Sequence, residues 1–422
     1  MKKNVWIMNH YAGSMFFDKG GRHYNFAKYL RRAGYEPVIF CANSKHGQQE
    51  LFFDNKNLWQ EHIAEEIDTP FIFVKARTYQ GNGKQRVLNM VDFYRNVKKT
   101  AKQYAKEYGT PDIIYASSVH PLTLVAGIQL AKYFRVKCIC EVRDLWPETI
   151  INLIPRYHRE DLLMQLLYRG EYWIYKKADE LIFTMEGGKD YILRQKWDID
   201  HGKKINLKKI HYINNGVDFE AYKNNCIDHR LNDSDLEDPS LKRLIYVGSI
   251  RPANGLYELL DCAQQMESRK DVKFLIYGGG EELENLQHEV KKRNVKNYIL
   301  KGKIPKNCIP YVLSCSYVGL LNYSKEAMAD FEFGGSQNKL FEYLASGRPV
   351  LSNMEMNYDI INSNCCGYAH GFSNGEEYAQ EVKRMLDMSE EDYQLMCMNA
   401  KRTAENYDFK KLTEALINII ER

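Results

Sequence analysis

The densest chemistry in this 422-residue chain lies between Gly334 and Asn353, GGSQNKLFEYLASGRPVLSN. A Gly334-Gly335 pair leads to Ser336, which can cap a helix start, and Asn338, Lys339 and Glu342 fall within the first two turns. Backbone N–H groups at a helix N-terminus, with a lysine beside them, suit a phosphate, because the orphan donors and the helix dipole both favour an anion. Glu342 lies one turn beyond Asn338 on the same helical face, where a carboxylate can accept hydrogen bonds from ribose hydroxyls. Ser346-Gly347 ends this helix, and Pro349 with Val350-Leu351 opens a short buried strand.

A second chemistry-bearing run, Glu141-Val142-Arg143-Asp144-Leu145-Trp146-Pro147-Glu148, follows an apolar strand and combines carboxylates, an arginine and a tryptophan. Asp144 can orient or deprotonate an acceptor hydroxyl, and Arg143 can balance diphosphate charge. Both can instead form structural ion pairs. His120, in Ser117-Ser118-Val119-His120-Pro121, is placed at a strand end to hydrogen-bond a sugar hydroxyl, or is a loop histidine satisfied by nearby backbone. Tyr246-Val247-Gly248-Ser249-Ile250-Arg251 ends a strand and Ala253-Asn254-Gly255-Leu256 starts a helix. There Gly248 can let the backbone approach a diphosphate closely. Gly278-Gly279-Gly280 is a weak glycine signal, since any tight strand-to-helix turn can look like this.

These residues need strands and helices to hold them. Short apolar runs at Val5–Met8, Pro37–Cys41, Phe71–Val74, Ile113–Tyr115, Val136–Cys140 and Leu181–Phe183 alternate with helical stretches such as His23–Ala33. That is the rhythm of a doubly wound parallel sheet, whose ligands sit at the carboxyl ends of strands. After the strand Ile210–Ile213 and the turn-rich Asn214-Asn215-Gly216-Val217-Asp218 the rhythm restarts, with strands at Leu244–Val247, Lys273–Tyr277, Tyr298–Leu300, Tyr317–Leu320 and Pro349–Leu351. The last helix, Lys410–Ile420, is amphipathic.

Composition narrows the class. A hydrophobic share of 44% with 27% charged residues describes a globular protein, and no apolar run reaches the roughly 18 residues of a membrane span. The N-terminal MKKNVWIMNHY is expected to be a first strand and not a signal peptide. Ten cysteines without metal-ligand spacing read as reduced thiols. A net charge of +4 is too small to argue for nucleic acid. From residue 155 to 177, Arg156, Arg159, Arg169, Lys176 and Lys177 flank Leu162, Leu163, Leu166, Leu167, Trp173 and Ile174 at helical spacing. Such a stripe is either core or a surface that lies on an anionic bilayer.

The Gly334–Asn353 stretch resembles the nucleotide-sugar helix of family 4 glycosyltransferases, in the branch that builds bacterial surface polysaccharides, with a pattern close to G-x-S-P-N-K-L-F-[DE]-Y followed by G-[KR]-P-V. Gln337 stands where proline is usual, and of two glutamates common in relatives only Glu342 is kept, Gly334 occupying the other position. Glu141–Glu148 resembles the same branch almost letter for letter. The resemblance implies the GT-B fold: two Rossmann-like doubly wound α/β domains facing across a cleft. It places an acceptor-side domain at 1–215, a nucleotide-sugar domain at 216–402, and a helix at 403–422 crossing back to the first.

By the same resemblance the enzyme is retaining and metal-independent, needs no cofactor beyond its donor substrate, and moves sugar from a nucleotide-diphosphate sugar, UDP-linked by preference, to a glycan or polyprenyl-diphosphate-linked acceptor. It implies donor contacts from Gly20 and Gly21 in the first domain and from Gly248, Gly278, Gly280, Lys303, Ser336, Asn338, Lys339, Leu340 and Glu342 in the second. Relatives carry an Arg and a Lys where this chain has Ser249 and Asn254, which shifts phosphate neutralisation onto Lys339 with Arg251 or Arg143. Asp144, His120 and Lys339 are the expected catalytic residues. The expected location is the cytoplasm, at the inner face of its membrane if the basic stripe meets lipid. Two rival readings are a nucleotide-sugar epimerase on the same scaffold and a non-catalytic sugar-nucleotide-binding partner.

Overall fold

The structure, a computed structural model, describes residues 2–54, 56–154, 156–325 and 331–422. The chain forms two units, Met1–Asn214 with Phe409–Arg422, and Asn215–Asp408.

The first unit is built on an eight-stranded sheet of β1 (Asn4–Met8), β2 (Glu36–Ala42), β3 (Trp59–Ala64), β4 (Thr69–Val74), β5 (Ile113–Ser117), β6 (Lys137–Val142), β7 (Glu180–Phe183) and β8 (Ile210–Tyr212), in the order β3-β4-β2-β1-β5-β6-β7-β8. Strands such as β1, with Val5, Ile7 and Met8 buried, read as unbroken apolar runs because helices cover both faces of a parallel sheet. The sheet is not wholly parallel: β3 pairs antiparallel with β4 at the edge. Its Gln60, Glu61 and His62 break any apolar run, so the sequence shows no strand there. The pairings β1 with β5 and β5 with β6 bring the carboxyl ends of these three strands side by side, so the loops carrying His10, His120 and Asp144 leave one sheet edge together. The last helix, Phe409–Ile420, closes this unit; Phe409 packs edge-on against Phe26 at 5.6 Å, and Lys3 pairs with Glu421 at 2.6 Å. Residues 403–408 stay in the second unit, where the helix Glu390–Asn406 ends.

The second unit has a six-stranded parallel sheet of β9 (Lys242–Ser249), β10 (Val272–Gly279), β11 (Tyr298–Gly302), β12 (Val318–Leu321), β13 (Val350–Ser352) and β14 (Gly367–Ala369), ordered β11-β10-β9-β12-β13-β14. The helix Asn338–Ala345 buries Leu340, Phe341, Tyr343 and Leu344 against it. Tyr343 Oη accepts from the Val247 N–H at 2.9 Å and donates to the Val247 carbonyl at 3.2 Å, which pins this helix to the end of β9. All ten cysteines are free thiols. Among the described residues no helix is long and apolar enough to cross a membrane.

Candidate active site

In the second unit, two glycines make room for two lysines. The register of β9 and β10 sets Gly278 beside Gly248 and Gly279 beside Ser249. A Cβ on Gly248 would lie 2.5 Å from Lys339 Cε, and one on Gly279 2.5 Å from Lys303 Cε. Each glycine therefore admits a lysine stem across the strand end. Gly278 and Gly280 have a different reason to be glycine, since a Cβ there would meet the Gly248 carbonyl oxygen at 1.7 Å and that of Ile250 at 2.1 Å. They let the backbones of neighbouring strand ends approach closely.

The Lys339 ammonium donates to Tyr246 Oη at 2.8 Å and to Asn254 Oδ1 at 3.3 Å, above the Tyr246 ring. Tyr246 Oη in turn donates to the Ser249 carbonyl at 2.7 Å, and Asn254 Nδ2 to the same carbonyl at 2.8 Å. Ser249 and Asn254 thus form the frame of Lys339. No carboxylate among the described residues pairs with Lys339. Burial, with Arg251 adding and Glu342 opposing, lowers its pKa to about 8. One turn on, burial raises Glu342 to about 7 against the pull of Lys306 and Lys339. An under-compensated cation and an under-compensated acid thus share one helical face, a pairing that suits an anion beside hydroxyl donors.

The helix start differs from expectation. The helix begins at Asn338, whose side chain is exposed, with Gln337 at the N-cap and no side-chain capping bond. Ser336 does not cap it; its Oγ is buried with no partner among the described residues. Gly334 supplies the left-handed turn (φ 93°) before it. Leu340 is turned away: its side chain is in the core, and its N–H is bonded to the Gln337 carbonyl at 3.2 Å. Arg251 stands exposed after β9.

In the first unit, the largest surprise is Glu141. Fully buried, it accepts from Arg22 Nε, from Tyr115 Oη at 2.6 Å, from Ser117 Oγ at 2.6 Å and from His23 Nε2 at 3.0 Å. Burial alone would raise its pKa, but Arg22 and His23 hold it well below the usual range. Asn9 Nδ2 donates to His23 Nδ1 at 2.8 Å, which leaves Nε2 as the protonated nitrogen of a neutral ring. Arg22 also donates to the carbonyls of Ile213 at 2.8 Å and Asn214 at 2.5 Å. Arg22 thereby ties the helix Arg22–Arg32 to the segment that follows β8. Gly21, at φ 96°, makes the turn into that helix, and Gly20 precedes it with its N–H on the Met15 carbonyl.

His120 Nε2 and His10 Nδ1 are 2.8 Å apart, and both rings are buried. Burial, with Arg86 adding, takes His120 down to about 3, and burial with His120 takes His10 well below its ordinary value. Both are neutral, and His120 Nδ1 and His10 Nε2 have no partner among the described residues. His120 is thus no ordinary loop histidine satisfied by backbone, and His10, at the end of β1, is a polar group that the sequence did not single out. Asp144 is exposed, beside an Arg143 whose N–H donates to Ser118 Oγ at 3.0 Å. Glu148, at the end of the same motif, is engaged by Arg159 at 3.4 Å and Gln195 at 3.0 Å. Among the described residues no group of three or more His, Cys, Asp or Glu could hold a metal ion.

Two family models match the chain: Glycosyltransferase Family 4 over residues 22–221, and Glycosyl transferases group 1 over residues 230–403. No curated protein matches by sequence. Among solved structures, sucrose-phosphate synthase from Thermosynechococcus elongatus aligns with a TM-score of 0.72 at 15% identity, over 100% of this chain and 98% of its own. The α,α-trehalose 6-phosphate synthase of Burkholderia multivorans gives 0.69 at 14%, over 100% and 98%. Anabaena HepE in complex with UDP gives 0.64 at 13%, over 100% of both chains. At such identities these structures speak for the fold alone, which is GT-B. With a Family 4 match across the first unit and a group 1 match across the second, the chain belongs to the GT-B glycosyltransferases.

Proposed function

We propose that this glycosyltransferase takes its sugar from a UDP-sugar, retains the anomeric configuration without a metal ion, and delivers it to a lipid-linked glycan in bacterial surface-polysaccharide synthesis, at the cytoplasmic face of the membrane. The observation that carries the donor reading is the Lys339–Glu342 face: a cation held by Tyr246 and Asn254 and a carboxyl that accepts no side-chain hydrogen bond among the described residues, at the carboxyl ends of β9 and β10. Anabaena HepE, of the same fold, has been solved with UDP and with UDP-glucose, which supports UDP over other nucleotides.

In this reading Glu342 accepts from the ribose, while Lys339, Arg251 and the first-turn N–H groups after Ser336 meet the diphosphate. The leaving diphosphate gains charge in the transition state, so donors fixed beforehand lower the barrier. The departing phosphate oxygen helps deprotonate the acceptor, and no protein nucleophile is assigned. On the first unit, Asp144 orients the acceptor hydroxyl, and the neutral His120 offers its unpartnered Nδ1 to a sugar hydroxyl. Calorimetric titration with UDP and GDP, on wild type and Glu342→Ala, tests the donor site. UDP binding lost in the variant is expected; a folded wild type that binds neither nucleotide would remove the assignment.

A further inference from the structure

The helices Pro121–Phe134, Trp146–Leu153 and Leu162–Lys177 of the first unit enclose a cavity of about 400 Å³, walled by Leu122, Val125, Trp146, Leu167, Trp173 and Ile174. That volume lies within the roughly 300–1,000 Å³ of small-molecule sites. Asp144 lines it too, so the cavity reaches the sheet edge where the acceptor residues emerge. Glu171, the buried acid in its wall, is already occupied by the hydroxyls of Tyr175 at 2.6 Å and Tyr191 at 2.7 Å.

Gly170 is the telling residue. It lines the cavity from the middle of the helix Leu162–Lys177, and a Cβ there would meet nothing within 4 Å. A glycine inside a helix is unfavourable relative to alanine, and no turn or close packing in this chain requires one here. What its missing side chain does is leave the mouth of the cavity open. From that mouth an apolar stripe runs outward along the same helix: Leu162 is 86% exposed, Leu166 62% and Trp173 38%. Arg169 and Lys177 of the same helix, and Arg156 ahead of it in the chain, are exposed. Bare sugar would gain little from such walls, because hydroxyls buried without partners are costly. A long hydrocarbon carrying an anionic head matches both the walls and the cations.

We propose that this cavity seats the polyprenyl chain of the acceptor lipid, with its diphosphate among the exposed cations and its sugar presented to Asp144. The inference rests on the acceptor reading above and names the part of the acceptor that the first unit holds.

The full-length protein is titrated with geranylgeranyl diphosphate, following tryptophan fluorescence; all five tryptophans lie in the first unit, and Trp146 and Trp173 line the cavity. A saturable change is expected that inorganic diphosphate does not reproduce. Gly170→Phe, which plugs the mouth, and Leu166→Glu, which charges the exposed stripe, each weaken it at least tenfold while UDP affinity stays unchanged. Equal response to inorganic diphosphate, or undiminished lipid affinity in a folded Gly170→Phe, overturns the proposal. So does a self-association, seen by sedimentation, that Gly170→Phe abolishes, which would give this face to a second copy of the chain. UDP binding without lipid binding overturns the cavity assignment and leaves the donor reading standing. Lipid binding that Gly170→Phe removes, in a protein that binds no UDP, upholds the cavity and fails the donor site.

Discussion

Replacing Glu171 by glutamine should remove most of the pH dependence that this residue imposes on the first unit's stability. The Glu171 side chain is 6% exposed and accepts hydrogen bonds from two tyrosine hydroxyls. Burial raises its pKa from 4.5 to about 7, with the Tyr175 and Tyr191 hydroxyls and Arg159 opposing and Glu148 adding. Between those two values the folded unit keeps a proton that the unfolded chain releases. Stability from this group is therefore fully present below pH 4.5 and is lost as the pH rises through 7. At about 1.4 kcal/mol per pH unit, the loss amounts to about 3 kcal/mol. Glutamine can accept from one hydroxyl and donate to the other without carrying a charge. Trp197, whose ring lies 5.7 Å from Tyr172 and 6.0 Å from Tyr191, reports on this region. Thermal unfolding followed by tryptophan fluorescence at pH 5 and pH 9 is the assay. About 2.5 kcal/mol of that loss falls between pH 5 and pH 9, and with roughly 2–4 °C per kcal/mol for a unit of this size the variant should gain about 5–10 °C on wild type between the two pH values. A difference that stays within about 2 °C would show that the carboxyl does not titrate in the folded unit, and the reasoning from burial would fail.

Removing the Lys339 ammonium (Lys339→Ala) should weaken UDP binding by about 1.5–3 kcal/mol, read by calorimetry. Because Lys339 titrates at about 8 and a diphosphate favours its charged form, wild-type UDP affinity should fall as the pH rises above that value, and the fall should vanish in Lys339→Met. Gly248→Ala should displace the Lys339 stem and cost a similar part of UDP affinity, with the unit still folded by circular dichroism. Asp144→Asn should leave UDP affinity intact and abolish transfer to a lipid-linked acceptor; normal transfer would remove Asp144 from the acceptor site. Glu141→Gln leaves Arg22 buried without its charge partner and should destabilise the first unit by about 3–5 kcal/mol in urea unfolding, whereas an unaltered midpoint would mean that the network contributes nothing.

Most strands of both sheets, the three-residue β14 excepted, were legible because a parallel sheet covered on both faces writes itself as apolar runs, Val5–Met8 and Lys273–Tyr277 among them. β3 was not, because an edge strand with Gln60, Glu61 and His62 has no such pattern. The Lys339 helix was legible for a local reason: its chemistry lies within two turns of one helix. Ser336 was misread as a cap, since the sequence does not reveal where the first helical turn closes. Glu141 shows the opposite case. It lies in a motif whose residue types point to Asp144 for chemistry, while its partners Arg22 and His23 stand 119 and 118 residues away. No spacing rule connects residues that only the sheet order brings together. The same holds for His10 and His120, 110 residues apart and 2.8 Å from ring to ring.

The chain passes between its units twice, at 214/215 and again at 408/409, and Val217 bridges Asp408 where the two passages run. The first unit is thus discontinuous, and its hydrophobic core, including Phe26 and Ile213, is finished only by Phe409, Leu412 and Leu416. During synthesis the second unit, residues 215–408, is complete before the first one is. The core of the first unit therefore cannot seal until residues 409–420 have followed the whole of the second unit out of the ribosome. Residues 215–408 are contiguous and carry their own core, whereas residues 1–214 alone would present an open apolar face.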